Sequence, residues 1–190
     1  MRRRRIVRPG LRPGVHPPQR KPVHPLLRKA HELFANGNYL DAAELFVKLG
    51  EGAVARNMPR APHLFLQAGR SYLLAGVYEK AIEYSRHGLN LFLEKERWHE
   101  LKRFGDRVVV ELKEHNLDDE ANLIQSWLIE SIPESFEVSS GKFSLNESKK
   151  DIHLPLVCPS CGGAINPLEV EWVDDITAVC SFCGNMVRGE

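Results

Sequence analysis

Between residues 61 and 93 the apolar positions fall into two helical stripes separated by a glycine. Phe65, Ala68, Gly69, Tyr72 and Leu73 share one helix face. Gly76 then breaks the pattern, as expected of a residue that ends a helix in the left-handed conformation. A second stripe follows at Tyr78, Ala81, Ile82, Ser85 and Leu89. The stretch predicts an antiparallel helical hairpin, with Gly69 and Ala81 where the two backbones approach. Shifting it back by 39 positions aligns Phe65, Gly69, Tyr72, Gly76, Tyr78 and Ala81 with Leu26, Ala30, Leu33, Gly37, Tyr39 and Ala42. A first hairpin is therefore expected over 24–49. A loop is expected over 50–62, where Gly50, Gly52, Pro59 and Pro62 cluster. A third, weaker hairpin covers 96–132. Phe104, Val108, Val109 and Leu112 form one face, and Leu117, Ala121, Ile124 and Leu128 the other. Its turn, His115-Asn116-Leu117-Asp118, lacks glycine, Pro133 stops it, and Trp98 and Trp127 read as core residues.

The helical period disappears over 134–157, where serine and charge predominate. This reads as a linker with a short strand around 142–145, leaving the following module free to reorient unless it docks. All four cysteines lie beyond it, in Cys158-Pro-Ser-Cys161-Gly and Cys180-Ser-Phe-Cys183-Gly, with 18 residues between the pairs. That spacing suits a four-thiolate zinc site: two intervening residues let one tight turn aim both sulfurs at the ion. Leu168, Val170 and Trp172 alternate with Glu169 and Glu171, Asp174-Asp175 suggests a turn, and 176–179 a return strand. Two knuckles joined by a hairpin resemble a zinc ribbon over 158–190. A module this small cannot stabilise itself by apolar burial. One structural zinc on Cys158, Cys161, Cys180 and Cys183 would contribute about 10–16 kcal/mol. A redox dithiol or a pair of disulfides are the rival readings. His153 reads as a solvent-facing linker histidine.

The hairpin over 61–93 resembles the tetratricopeptide repeat. A large residue opens the first helix (Phe65), Gly69 and Tyr72 follow, the turn is Gly-x-Tyr (Gly76, Tyr78), and a small residue stands at the crossing (Ala81). The resemblance implies a mainly α solenoid of about three hairpins over 26–133, with an inner groove that binds peptides or partner domains and no catalysis of its own. Carried over by position, the groove is His24, Leu27, His31, Phe34 and Ala35 in the first unit, and His63, Leu66, Arg70, Leu73 and Leu74 in the second. The lysine–asparagine carboxylate clamp of chaperone-binding members is not matched, since Leu27, His31, Leu66 and Arg70 occupy its places. An apolar groove of this kind expects an apolar helix or strand of a protein partner, or the third hairpin packed over it.

Charge changes the picture at the N-terminus. Of the 26 lysines and arginines, 10 fall in residues 1–30, which contain no acid, leaving 16 basic and 25 acidic side chains elsewhere, a net of −9. Residues 1–25 also hold six of the 12 prolines and are expected to be extended or disordered. Arg2, Arg3, Arg4 and Arg5 suit an acidic protein partner, nucleic-acid phosphates, or solvent. The prolines exclude an amphipathic presequence and no apolar stretch suits a signal or a bilayer, so a cytoplasmic protein without membrane association is expected. No nucleophile–base constellation or phosphate loop is present, so the expectation is a non-catalytic adaptor. Two alternatives stand beside it: a nucleic-acid-associated factor anchored by the arginine tail, and a reduced RING-like ubiquitin-ligase-type adaptor that recruits a conjugating enzyme.

Overall fold

The computed structural model describes residues 23–133, 153–167, 170–174, 176–180 and 182–189. The arginine tail and the strand expected near 142–145 lie outside these residues. Among the described residues there are six helices in three antiparallel hairpins: α1 (Pro25–Ala35) with α2 (Tyr39–Ala55), α3 (Ala61–Leu74) with α4 (Tyr78–Leu93), and α5 (Trp98–Glu114) with α6 (Asp118–Ser131). Three short strands follow, β1 (Glu171–Trp172), β2 (Thr177–Val179) and β3 (Met186–Arg188), antiparallel in the order β1-β2-β3. No described helix is long and apolar enough to cross a bilayer.

One local device ends each of the first five helices. At Gly37, Asn57, Gly76, Glu96 and Asn116 the backbone enters the left-handed region, with φ between 48° and 79°. In each turn the next N–H reaches back five residues to a carbonyl, as in Asn38 to Leu33, Val77 to Tyr72 and Leu117 to Leu112. This is the Schellman cap, which satisfies carbonyls the helix end would orphan. The caps recur every 19 or 20 residues, so they set the helix lengths and stack the hairpins in register. Asn116 takes the place of the glycine missing from the third turn, since asparagine tolerates this conformation best after glycine. Pro25 and Pro62 open α1 and α3, where a missing N–H costs no hydrogen bond.

The expected loop over 50–62 is shorter than the glycines suggested. α2 continues through Gly50 and Gly52 to Ala55. Gly50 is helical because the Phe65 ring packs directly on it; a methyl there would lie 2.9 Å from that ring. The close approach in the central hairpin falls where the small residues indicated. A methyl on Gly69 would stand 2.3 Å from the Ser85 hydroxyl and 3.0 Å from the Ala81 carbonyl oxygen. Only Arg70 and Leu74 of α3 escape full burial, because α2, α4 and α5 surround it and the C-terminal module closes the remaining side. Trp98 and Trp127 are partly buried against the core, and His153 is exposed.

Candidate metal centre and its seat on the concave face

Each Cys-x-x-Cys-Gly forms a tight turn. In the first, the Gly162 N–H donates to the Cys158 carbonyl (2.8 Å) and Gly162 takes a φ of 79°. In the second, the Gly184 N–H donates to the Cys180 carbonyl (3.0 Å) with a φ of 70° at Gly184. Backbone N–H groups also point at sulfur: Gly163 donates to Cys161 Sγ and Phe182 to Cys180 Sγ, each at 3.4 Å. The Val157–Ala164 bridge closes the first knuckle. Asp174 organises the hairpin turn between β1 and β2, its Oδ1 accepting from the Ile176 and Thr177 N–H groups at 2.8 and 2.7 Å. These bonds hold the exposed Asp174 carboxyl below its ordinary value. The strand anticipated over 168–172 is seen as Glu171–Trp172, residues 168–169 lying outside the described set, and the third strand, 186–188, was not anticipated.

The two turns bring the four sulfurs together. All lie within 4.8 Å of one another, with Cys158–Cys183 and Cys161–Cys180 each 3.8 Å apart. Four sulfurs at about 2.3 Å from a tetrahedral ion stand about 3.8 Å apart, whereas a disulfide requires about 2 Å. The cysteines are free thiols and the geometry fits one metal ion. Cys158, Cys161 and Cys180 are buried. Packed together without a counter-charge, the sulfurs cannot all ionise. Hydrogen bonding from Cys161 pulls the Cys158 thiol down, and the same bond pushes Cys161 up. A cation resolves that conflict by taking all four as thiolates.

The module docks onto the hairpins, and this settles how it sits on the concave face. Phe182, inside the second knuckle, places its ring 4.8 Å from His31 and 5.8 Å from Phe34 of α1, edge to face with both. Gln67 Nε2 of α3 donates to the Phe182 carbonyl at 3.3 Å. Gly184 sits so close to α3 and α5 that a methyl there would meet Arg103 at 2.9 Å, and His63 and Phe104 at 3.3 Å. The first helix of every hairpin thus contributes to the seat. The third hairpin, one of the two covers considered, instead supplies part of the wall through Arg103 and Phe104. Val23 packs against Gly162, so the point where the N-terminal tail joins the hairpins lies beside the first knuckle.

The groove residues anticipated from sequence divide accordingly. Leu27, His31 and Phe34 face the docked knuckle or the cavity beside it. Arg70 reaches across to α5, 3.2 Å from Glu111, with its guanidinium 5.6 Å above the Phe34 ring. Leu66 packs against Gly88 of α4, Leu73 is buried in the core, and Leu74 is partly exposed. Gln67 and Arg103 were not singled out, and Phe104 was read only as part of an apolar helix face. The signal for Gln67 was its place on one stripe with His63 and Arg70, at i+4 and i−3.

A cavity of about 290 Å³ remains between the knuckles and the concave face, lined by Leu27, Arg60, Gln67 and Cys183 among others. Among the described residues, three buried polar groups border it with no protein partner at one atom: His31 Nδ1, His63 Nδ1 and Gln67 Oε1. The residues are only 6%, 7% and 5% exposed. Burial lowers the pKa of both histidines to about 4; Arg97 and Arg103 push His63 in the same direction, and Glu100 opposes them. Both are neutral at pH 7.

Comparisons with protein-family models, with curated proteins and with solved structures gave no match.

Proposed function

We propose that this chain is a non-catalytic adaptor, in which tetratricopeptide-like hairpins and a zinc ribbon act as one protein-binding unit. The observation that carries the reading is the seating of the four-cysteine module on the concave face through Phe182, Gln67 and Gly184. Zinc is the favoured ion, because four thiolates in a tetrahedron suit it and leave no open position for chemistry. Its role is then structural, and it supplies the folding free energy of a module too small to form without it. The module and the residues leading into it carry exposed apolar side chains: Leu156, just before the first knuckle, is 86% and Met186 69% accessible. These offer a partner an apolar contact beside the helical surface. The RING-like alternative needs eight ligands and two ions, and among the described residues the cysteines form one cluster of four.

Affinity purification from the native cell, comparing the full chain with Cys158→Ser, tests the reading. Protein partners that depend on the intact module are expected. A chain that captures none, or a partner set indifferent to the substitution, removes the module from the proposed binding surface.

A further inference from the structure

We propose that the second knuckle is a metal-dependent plug: the ion and the seat on the concave face cooperate through Phe182, so metal occupancy closes access to that face and the two are thermodynamically linked. This rests on the metal reading above. Phe182 stands between two ligands, Cys180 and Cys183, and belongs to both structures at once. Its N–H donates to the Cys180 sulfur at 3.4 Å, while its carbonyl accepts from Gln67 at 3.3 Å. Its ring lies between the first knuckle and α1. A methyl on Gly163 would meet the ring at 2.6 Å, and His31 and Phe34 border the ring's other contacts.

The two halves of this arrangement need each other. The loop from Cys180 to Cys183 is shaped by the sulfurs it presents, and a module of this size buries too little apolar surface to preserve that shape alone. Release of the ion frees the turn that aims Phe182 at α1. Withdrawal of the knuckle, with Phe182 over His31 and Gln67 and Gly184 beside His63, uncovers three side chains that are each more than nine-tenths buried. Linkage is reciprocal: whatever factor the ion contributes to seating, the seat contributes to ion affinity. The groove also specifies what can replace the plug. It accepts an aromatic side chain on a tight turn whose backbone carbonyl is free to take the Gln67 amide hydrogen.

The test uses the full chain loaded with zinc and a chromophoric chelator in competition. Gln67→Met touches no ligand yet is expected to weaken zinc retention about tenfold, the lower end of outer-shell effects on metal affinity. His31→Leu, on a different helix, guards against a folding defect in the first variant and is expected to shift the same way. Hydrogen exchange read by mass spectrometry is expected to quicken in α1 and α3 when the chelator removes the ion. It should quicken equally in zinc-loaded Phe182→Leu. Superimposable chelator curves for wild type and both seat variants, or exchange in α1 and α3 indifferent to the metal, would overturn the linkage alone. A wild-type chain that binds no ion overturns the metal reading together with it.

Discussion

Replacing Gly69 by alanine should destabilise the protein, whereas the same change at Gly52 should stabilise it. Both glycines lie inside helices, where alanine is intrinsically better by about 1 kcal/mol. Their surroundings decide the sign. At Gly69 a methyl would meet the Ser85 hydroxyl at 2.3 Å, and the Ala81 carbonyl oxygen and Ser85 nitrogen at 3.0 Å. The hydroxyl can rotate away, but the two backbone atoms can retreat only if α4 moves off α3 by several tenths of an ångström. Overpacking of that kind costs about 1–3 kcal/mol, and nearby Tyr72, Ala81 and Leu89 lose contact with it. Because two backbone atoms must retreat, the cost lies in the upper half of that range, about 2–3 kcal/mol. After the propensity gain the net loss is about 1–2 kcal/mol, or a Tm lower by roughly 2–8 °C for a protein of this size. At Gly52 the nearest atoms are the Arg56 guanidinium nitrogens, at 3.1 Å and beyond, on a flexible side chain that swings aside. There the propensity gain of about 0.5–1 kcal/mol survives. Thermal denaturation of the two zinc-loaded variants beside wild type reads the difference. A Gly69→Ala protein as stable as wild type would refute the close-approach argument.

Three further outcomes are expected. Glu96 holds a φ of 52° that glycine adopts without strain, so Glu96→Gly should raise unfolding free energy by about 1 kcal/mol in urea titrations. Native mass spectrometry should show one zinc per chain; removing it should abolish the ordered module while far-UV circular dichroism retains the helical signal of the hairpins. His63, kept neutral by burial and by Arg97 and Arg103 against the opposing Glu100, has its folded pKa lowered to about 4. The unfolded chain takes up a proton from about pH 6.5 downward while the folded chain resists until about pH 4, so stability falls across that window as pH drops. Between pH 7 and pH 5 the wild type should lose about 2 kcal/mol more than His63→Gln in denaturant midpoints; equal losses would place His63 in a wetter setting.

Much of the architecture was legible because it is built from short-range rules. Three helical hairpins, two glycine caps and paired cysteines each declare themselves within a few residues. Where the reading went astray, a distant neighbour had changed the meaning of a local signal. Gly50 looked like a loop residue, yet it is the helical floor under Phe65. Leu66 shares the apolar character expected of a groove, yet it packs on Gly88 of α4, and the polar Gln67 beside it meets the docked knuckle. Periodicity separates buried from exposed faces. It cannot separate two buried faces, and α3 is buried nearly all round.

The hairpin repeat, the left-handed turns at Gly37 and Gly76, and the convergence of Cys158, Cys161, Cys180 and Cys183 follow from spacing and backbone preference alone, and they are properties of the sequence. The destination of the metal module is not. Gln67 and Phe182 are 115 positions apart, and nothing near either residue announces the other. Their meeting depends on surfaces that exist only once the hairpins have stacked and the cysteine turns have formed. Tertiary structure therefore decided that the concave face is filled from within, by an aromatic turn between two cysteines of the cluster.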